Sequence, residues 1–218
     1  MKRFNFILCA LFICTLSIAQ RTQKVETFDN NRWRWIEGVD KFHSVTIEDG
    51  YLVISNLRKN GDATDYQNLA KTFAKLPLRP NDNFKLTIKY LVPNYNDAEY
   101  SILFNTAKKC IMDEEEEGQF ETYGISMEGP KWELKLGKFG EKSDKLPGTV
   151  KVKDDYPMEL VIEKKSRIVS IEINGIELFE DELEIKNPCV GFLVPLWDKK
   201  KSYLKVDEII VEQAEEEE

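Results

Sequence analysis

The stretch Met158-Glu159-Leu160-Val161-Ile162-Glu163, followed by Ile168-Val169-Ser170-Ile171-Glu172-Ile173-Asn174-Gly175-Ile176, decides the fold. Met158, Leu160 and Ile162 alternate with Glu159 and Glu163, and Ile171 and Ile173 alternate with Ser170, Glu172 and Asn174. A period of two is that of a β-strand with one face on a core and the other toward water or a polar groove. Asn174-Gly175 supplies the positive φ values of a two-residue hairpin turn, so the chain is predicted to reverse there into Ile176–Glu180.

The same signals recur along the chain. Phe84, Leu86, Ile88 and Tyr90 alternate with Lys85, Thr87 and Lys89; Trp132, Leu134 and Leu136 alternate with Lys131, Glu133 and Lys135. Asp49-Gly50 joins Val45–Glu48 to Tyr51–Ser55 as a second hairpin. Further strands are predicted at Leu69–Ala74, Glu99–Asn105, Phe120–Met127, Val190–Leu196 and Tyr203–Glu212. The connections are too short for crossover helices, so the pairing is antiparallel. Asn56–Asn68, Pro93–Asp97, Lys108–Gly118, Gly137–Gly148 and Leu196–Ser202 read as irregular polar loops. The expectation is an all-β chain with little or no helix, folded as a two-sheet antiparallel β-sandwich of jelly-roll type. A single domain should span residues 20–214, with residues 215–218 as an acidic tail.

The first nineteen residues read as a signal peptide. Lys2 and Arg3 precede an apolar run from Phe6 to Ile18, and Ser17-Ile18-Ala19 offers small residues for cleavage. The expected location is therefore exported: periplasmic, cell-surface or extracellular, with no membrane insertion after signal cleavage. Phe12 and Ile13 stand where a lipid-attachment motif at Cys14 would need small residues. Cleavage would remove Cys9 and Cys14 and leave Cys110 and Cys189, a possible disulfide in an oxidising compartment.

Charge and composition exclude several functions. The chain has 218 residues and a net charge of −8, without the basic footprint that nucleic acid requires. One histidine, His43, rules out a multi-histidine metal centre, and His43 itself reads as a surface or packed residue. No Gly-x-Ser-x-Gly elbow, Walker A loop or dinucleotide turn occurs. No catalytic or metal-binding residue is singled out and no cofactor is implied. The run Asp113-Glu114-Glu115-Glu116-Glu117 could attract Ca2+, a hard cation, but lacks the alternating Asp/Asn and Gly of a known calcium loop.

Several landmarks resemble the concanavalin A-like lectin/glucanase superfamily. They are Phe28-Asp29-Asn30-Asn31 with Trp33, Ile47-Glu48-Asp49-Gly50-Tyr51-Leu52-Val53-Ile54, Gly129 to Lys138, Asn174-Gly175, Val190-Gly191-Phe192 and Leu204 to Ile209. The chain looks most like laminin-G-like and 3-keto-disaccharide-hydrolase-like jelly rolls. The resemblance implies a curved sandwich whose concave face receives carbohydrate. The Glu-x-Asp-x-x-Glu strand of the glucanase branch is absent, so the chain is expected not to be a glucanase.

Sugars present apolar C–H faces and polar edges, which suit exposed aromatic rings. Trp197 ends an apolar strand and opens a lysine-rich loop, Tyr95 lies among Pro93, Asn94 and Asn96, and Trp35 shares a face with Trp33 if that segment is extended. These three are the ligand-binding candidates, whereas Trp33 and Trp132 read as core. The expected function is an exported, non-catalytic jelly roll that binds carbohydrate or another cell-envelope component such as a protein. The alternatives are a glycoside-processing hydrolase and a protein-interaction module.

Overall fold

The structure is a computed structural model describing residues 21–39, 43–56, 69–92, 99–104, 121–128, 131–138, 144–149, 157–195 and 203–214. Among these there is no helix, and fifteen strands build two antiparallel sheets. In chain order they are β1 (Arg21–Glu26), β2 (Gly38–Val39), β3 (His43–Glu48), β4 (Tyr51–Asn56), β5 (Leu69–Lys75), β6 (Phe84–Leu91), β7 (Glu99–Phe104) and β8 (Glu121–Glu128). They continue as β9 (Lys131–Lys138), β10 (Asp144–Thr149), β11 (Pro157–Lys165), β12 (Ile168–Ile173), β13 (Ile176–Glu182), β14 (Cys189–Pro195) and β15 (Tyr203–Ala214). One sheet has nine strands in the order β13-β12-β11-β6-β15-β4-β3-β2, with β1 also paired to β15; the other runs β10-β9-β8-β7-β14-β5.

Alternation becomes burial. Phe84, Leu86, Ile88 and Tyr90 of β6 join Leu160, Ile162, Ile171, Ile173, Val206 and Ile209 on the inner face of the nine-stranded sheet. Tyr100, Ile102 and Phe104 of β7 and Val190, Phe192 and Val194 of β14 oppose them from the six-stranded sheet. The two sheets meet in part through a polar contact, because Tyr90 and Tyr100 pair their hydroxyls at 3.1 Å within the core. Both expected hairpins form, with positive φ at Asp49, Gly50, Asn174 and Gly175. Asn174 also accepts the Glu159 N–H through Oδ1 at 2.7 Å, tying the β12–β13 turn to β11.

One expected loop contains a strand. Residues 144–149, of which 144–148 fall in the expected irregular piece Gly137–Gly148, form β10. Pro147 is tolerated there because β10 is the sheet's edge, where a proline takes no donor from a neighbour's ladder. β1 lacks a sequence signal for a different reason: Arg21–Glu26 has a single apolar residue, Val25, and is a strand because it pairs along the end of β15.

Lys164 sits at the core's margin, nearly buried, and donates from Nζ to the carbonyls of Asn81 at 2.9 Å and Asp82 at 3.2 Å. Burial pushes its pKa below the usual 10.5, against a smaller opposing pull from the Asp82 carboxylate. The unfolded chain therefore keeps this proton at pH values where the folded chain has lost it, so stability from this group rises with pH up to about 10.5. Lys164→Met removes the donor from both carbonyls and should cost about 1–3 kcal/mol near neutrality. Urea unfolding at pH 7 and pH 10 should show the wild-type advantage over the variant growing with pH.

Candidate functional site

The six-stranded sheet presents a second face, turned away from the core. Antiparallel register puts directly paired residues on one side, and two rows cross its middle. Leu193 pairs with Ser101, Ser101 with Ser126, and Ser126 with Glu133. One step along, Phe73 pairs with Gly191, Gly191 with Leu103, Leu103 with Gly124, and Gly124 with Lys135. The Ser101 and Ser126 hydroxyls lie 2.8 Å apart and are half-buried.

Beside the serines, Phe73, Leu103, Cys189 and Leu193 form an apolar cluster separate from the main core. Two glycines make that packing possible. A Cβ on Gly191 would collide with the Phe73 ring, and one on Gly124 would stand 2.7 Å from Leu103 Cδ2. A side chain at either position would displace the neighbour that now lies over it. The face thus combines a close-packed apolar floor with a paired-hydroxyl row. The four apolar side chains are themselves buried, at 1–3% exposure, so the half-buried serine pair is the part of this face left open to hydrogen-bond a ligand.

Trp35 departs from its expected role. It is 3% exposed, with Phe28 at a ring separation of 6.0 Å and Phe192 at 5.4 Å. The segment carrying it is not extended: Phe28 and Arg34 have φ of 57° and 59°. Trp33 and Trp35 therefore do not share a strand face, and Asn31 brackets Trp35 by accepting its N–H and donating to its carbonyl. Both rings of the Phe28–Trp35–Phe192 stack's flanks are protein, which leaves Trp35 unavailable to a ligand. Trp33 packs partly buried against the core.

Trp197, Tyr95, Cys110 and the run Asp113 to Glu117 lie outside the described residues. Cys189 is buried in the outer cluster and is disulfide-bonded. No cluster of three or more His, Cys, Asp or Glu suited to a metal occurs among the described residues. The serine pair and its glycines were missed in the sequence. The available signal was the isolated glycine inside an apolar strand run, Val190-Gly191-Phe192, which marks close approach of a neighbour.

No protein-family model matches the chain, and no curated protein does. Solved structures do. The chain is similar to a protein of unknown function with a galectin-like fold from Bacillus subtilis, at 12% identity over 89% of this chain and 96% of that one, TM-score 0.60. It is also similar to SCLam, a non-specific endo-β-1,3(4)-glucanase from family GH16, at 10% identity over 89% and 92%, TM-score 0.61. The fold is a concanavalin A-like jelly roll. The CBM2 module of the Lactobacillus casei BL23 phage J-1 evolved Dit also matches, at 8% identity over 91% of this chain and 99% of that one, TM-score 0.60.

Proposed function

We propose that the mature chain is an exported, non-catalytic jelly roll that binds carbohydrate on the outer face of its six-stranded sheet. The observation that carries this reading is the half-buried Ser101–Ser126 hydroxyl pair on the outer face of the six-stranded sheet. The galectin-like and glucanase neighbours support a sugar over other ligands, and fold alone would not fix it. The signal-like residues 1–19 support export to the periplasm, cell surface or exterior. Cys110 is assigned as the partner of Cys189, since removal of the signal leaves no other cysteine. Trp197 and Tyr95 remain the aromatic residues assigned to the ligand.

A glycan array followed by calorimetry on the mature chain tests the reading. Ser101→Val combined with Ser126→Val should weaken binding by about tenfold, the worth of one or two hydrogen bonds. Unchanged affinity in that variant, or capture of an envelope protein with no glycan bound at all, would replace the sugar reading by one of protein interaction.

A further inference from the structure

The outer face of the nine-stranded sheet is divided. Where β6, β11 and the second half of β15 lie side by side, its outward residues are charged and matched: Lys85 stands between Glu163 and Glu212, and Lys89 between Glu159 and Glu208. The Lys89–Glu208 contact is 2.7 Å, and that bond raises the Lys89 pKa above its usual value. Toward β2 the charges thin out. One row reads Val39–Ser44–Ser55–Tyr203 across β2, β3, β4 and β15, and the next reads Thr46–Val53–Lys205–Leu91 across β3, β4, β15 and β6. Tyr51 begins a third row, opposite Glu48.

These rows reach solvent. The core-facing residues of the same strands are Val45, Leu52, Ile54, Leu204 and Val206. Outward, Val39 is 67% exposed, and Ser44, Thr46, Tyr51, Ser55 and Tyr203 are half-buried, as positions flanked within an open sheet face are; Val53, at the centre, is buried. No hydrogen bond joins the hydroxyls of those five residues to another described residue, whereas Ser101 and Ser126 satisfy each other. Lys205 places Nζ 5.4 Å from the centre of the Tyr51 ring, so the lysine of this patch is engaged with its own tyrosine.

We infer that this patch is a second ligand surface, taking a neutral, unbranched glycan that lies flat along β4 from Tyr51 to Tyr203. In a chain that is 32% charged, a contiguous area of free hydroxyls, tyrosine rings and small apolar side chains favours an uncharged ligand. Serine, threonine and tyrosine hydroxyls both donate and accept, as sugar hydroxyls do, whereas the core of a protein interface is mainly apolar. Three rows over four strands cover on the order of 200 Å2, from ~4.8 Å per strand and ~6.8 Å per row. A stable protein interface needs about 800 Å2 per partner, so the patch suits an oligosaccharide and is too small for a protein. Tyr51 and Tyr203 stand four residues and one strand apart, about 14 Å, which asks for several sugar units in line. A sheet face without cleft walls fits an extended chain with equatorial linkages, whose C–H faces meet the rings while its edges meet Ser44, Thr46 and Ser55. The inference is independent of the Ser101–Ser126 site, which lies on the other sheet.

Calorimetry of the mature chain with cellohexaose, which its β-linkages keep extended, and with maltohexaose, which its α-linkages curl, tests this. Cellohexaose should bind, and maltohexaose about fivefold more weakly for want of a flat C–H face. Affinity for the neutral chain should change by less than about twofold between ~50 mM and ~300 mM salt, since no ion pair is there to be screened. Ser44→Val with Ser55→Val keeps strand-forming side chains in the sheet and should weaken cellohexaose by about tenfold, the worth of one or two hydrogen bonds. Tyr203→Ala should weaken it by about fivefold or more, and Lys85→Gln, in the charged half, should have no effect. Equal affinity for the two oligosaccharides overturns the inference and leaves the proposed function standing. So does a loss of cellohexaose binding in Ser101→Val with Ser126→Val that the Ser44 and Ser55 changes do not produce. Absence of cellohexaose binding also overturns it, and a concentration-dependent dimer dissolved by Tyr203→Ala in sedimentation would then make a second copy of the chain the occupant.

Discussion

Trp35→Ala is expected to lower the stability of the mature chain by about 3–5 kcal/mol, the range for emptying a large aromatic site in a core. The indole fills the space between Phe28, at the start of the β1–β2 connection, and Phe192 in the middle of β14. Its loss opens a cavity lined by rings that cannot collapse, because Phe28 is fixed by its own unusual backbone and by the Glu26 carboxylate. That carboxylate is itself buried and accepts the N–H groups of Phe28 and Trp33. Trp35→Phe should cost much less. It keeps the aromatic stack and removes an indole N–H that has no hydrogen-bond partner among the described residues. Denaturant unfolding of the three proteins gives the comparison, and glycan affinity measured well below the melting temperature should be the same for all. A specific loss of affinity in Trp35→Phe would restore Trp35 to the site.

Gly191→Val should be the most damaging change on the opposite side of the same sheet, costing about 2–3 kcal/mol. Its first added carbon already collides with the Phe73 ring, and Phe73 has no open side to move into, being 3% exposed. The branched side chain would force Phe73 against the neighbours that bury it, on the face where the serines lie. Two losses are expected together: a lower unfolding midpoint and weakened glycan binding at temperatures where the variant is folded. Combining Gly191→Val with Phe73→Ala should recover part of the stability, because the two side chains share one space and their effects do not add. A fully additive double mutant would show that Phe73 is not the obstacle.

How much of this was legible in the sequence depends on what each residue needs from its neighbours. β12 matches its expected range from Ile168 to Ile173, because alternation and an Asn-Gly turn are both local. β1 and β10 were not legible, since their strand character comes from partners far along the chain. Trp35 was misread because nothing in Phe28-Asp29-Asn30-Asn31 announces a left-handed backbone at a phenylalanine. A bulky residue takes that conformation only when surrounding contacts impose it. The jelly-roll class, by contrast, followed from the strand pattern together with the resemblance, and the structural neighbours agree.

The site shows the same division. Ser101 and Ser126 are twenty-five positions apart and meet only because β7 and β8 pair in the observed register. Sequence reading favoured aromatics in loops because an exposed ring is conspicuous on its own. Serines and glycines come together only through register.

An NMR titration of the labelled mature chain with a glycan that it binds examines the face itself. Amide shifts gathered on β5, β7, β8, β9 and β14, with the largest at Ser101 and Ser126, are the expected result. Perturbations gathered instead on β6, β11 and β15, across the far side of the sandwich, would contradict the assignment of the six-stranded sheet as the binding surface.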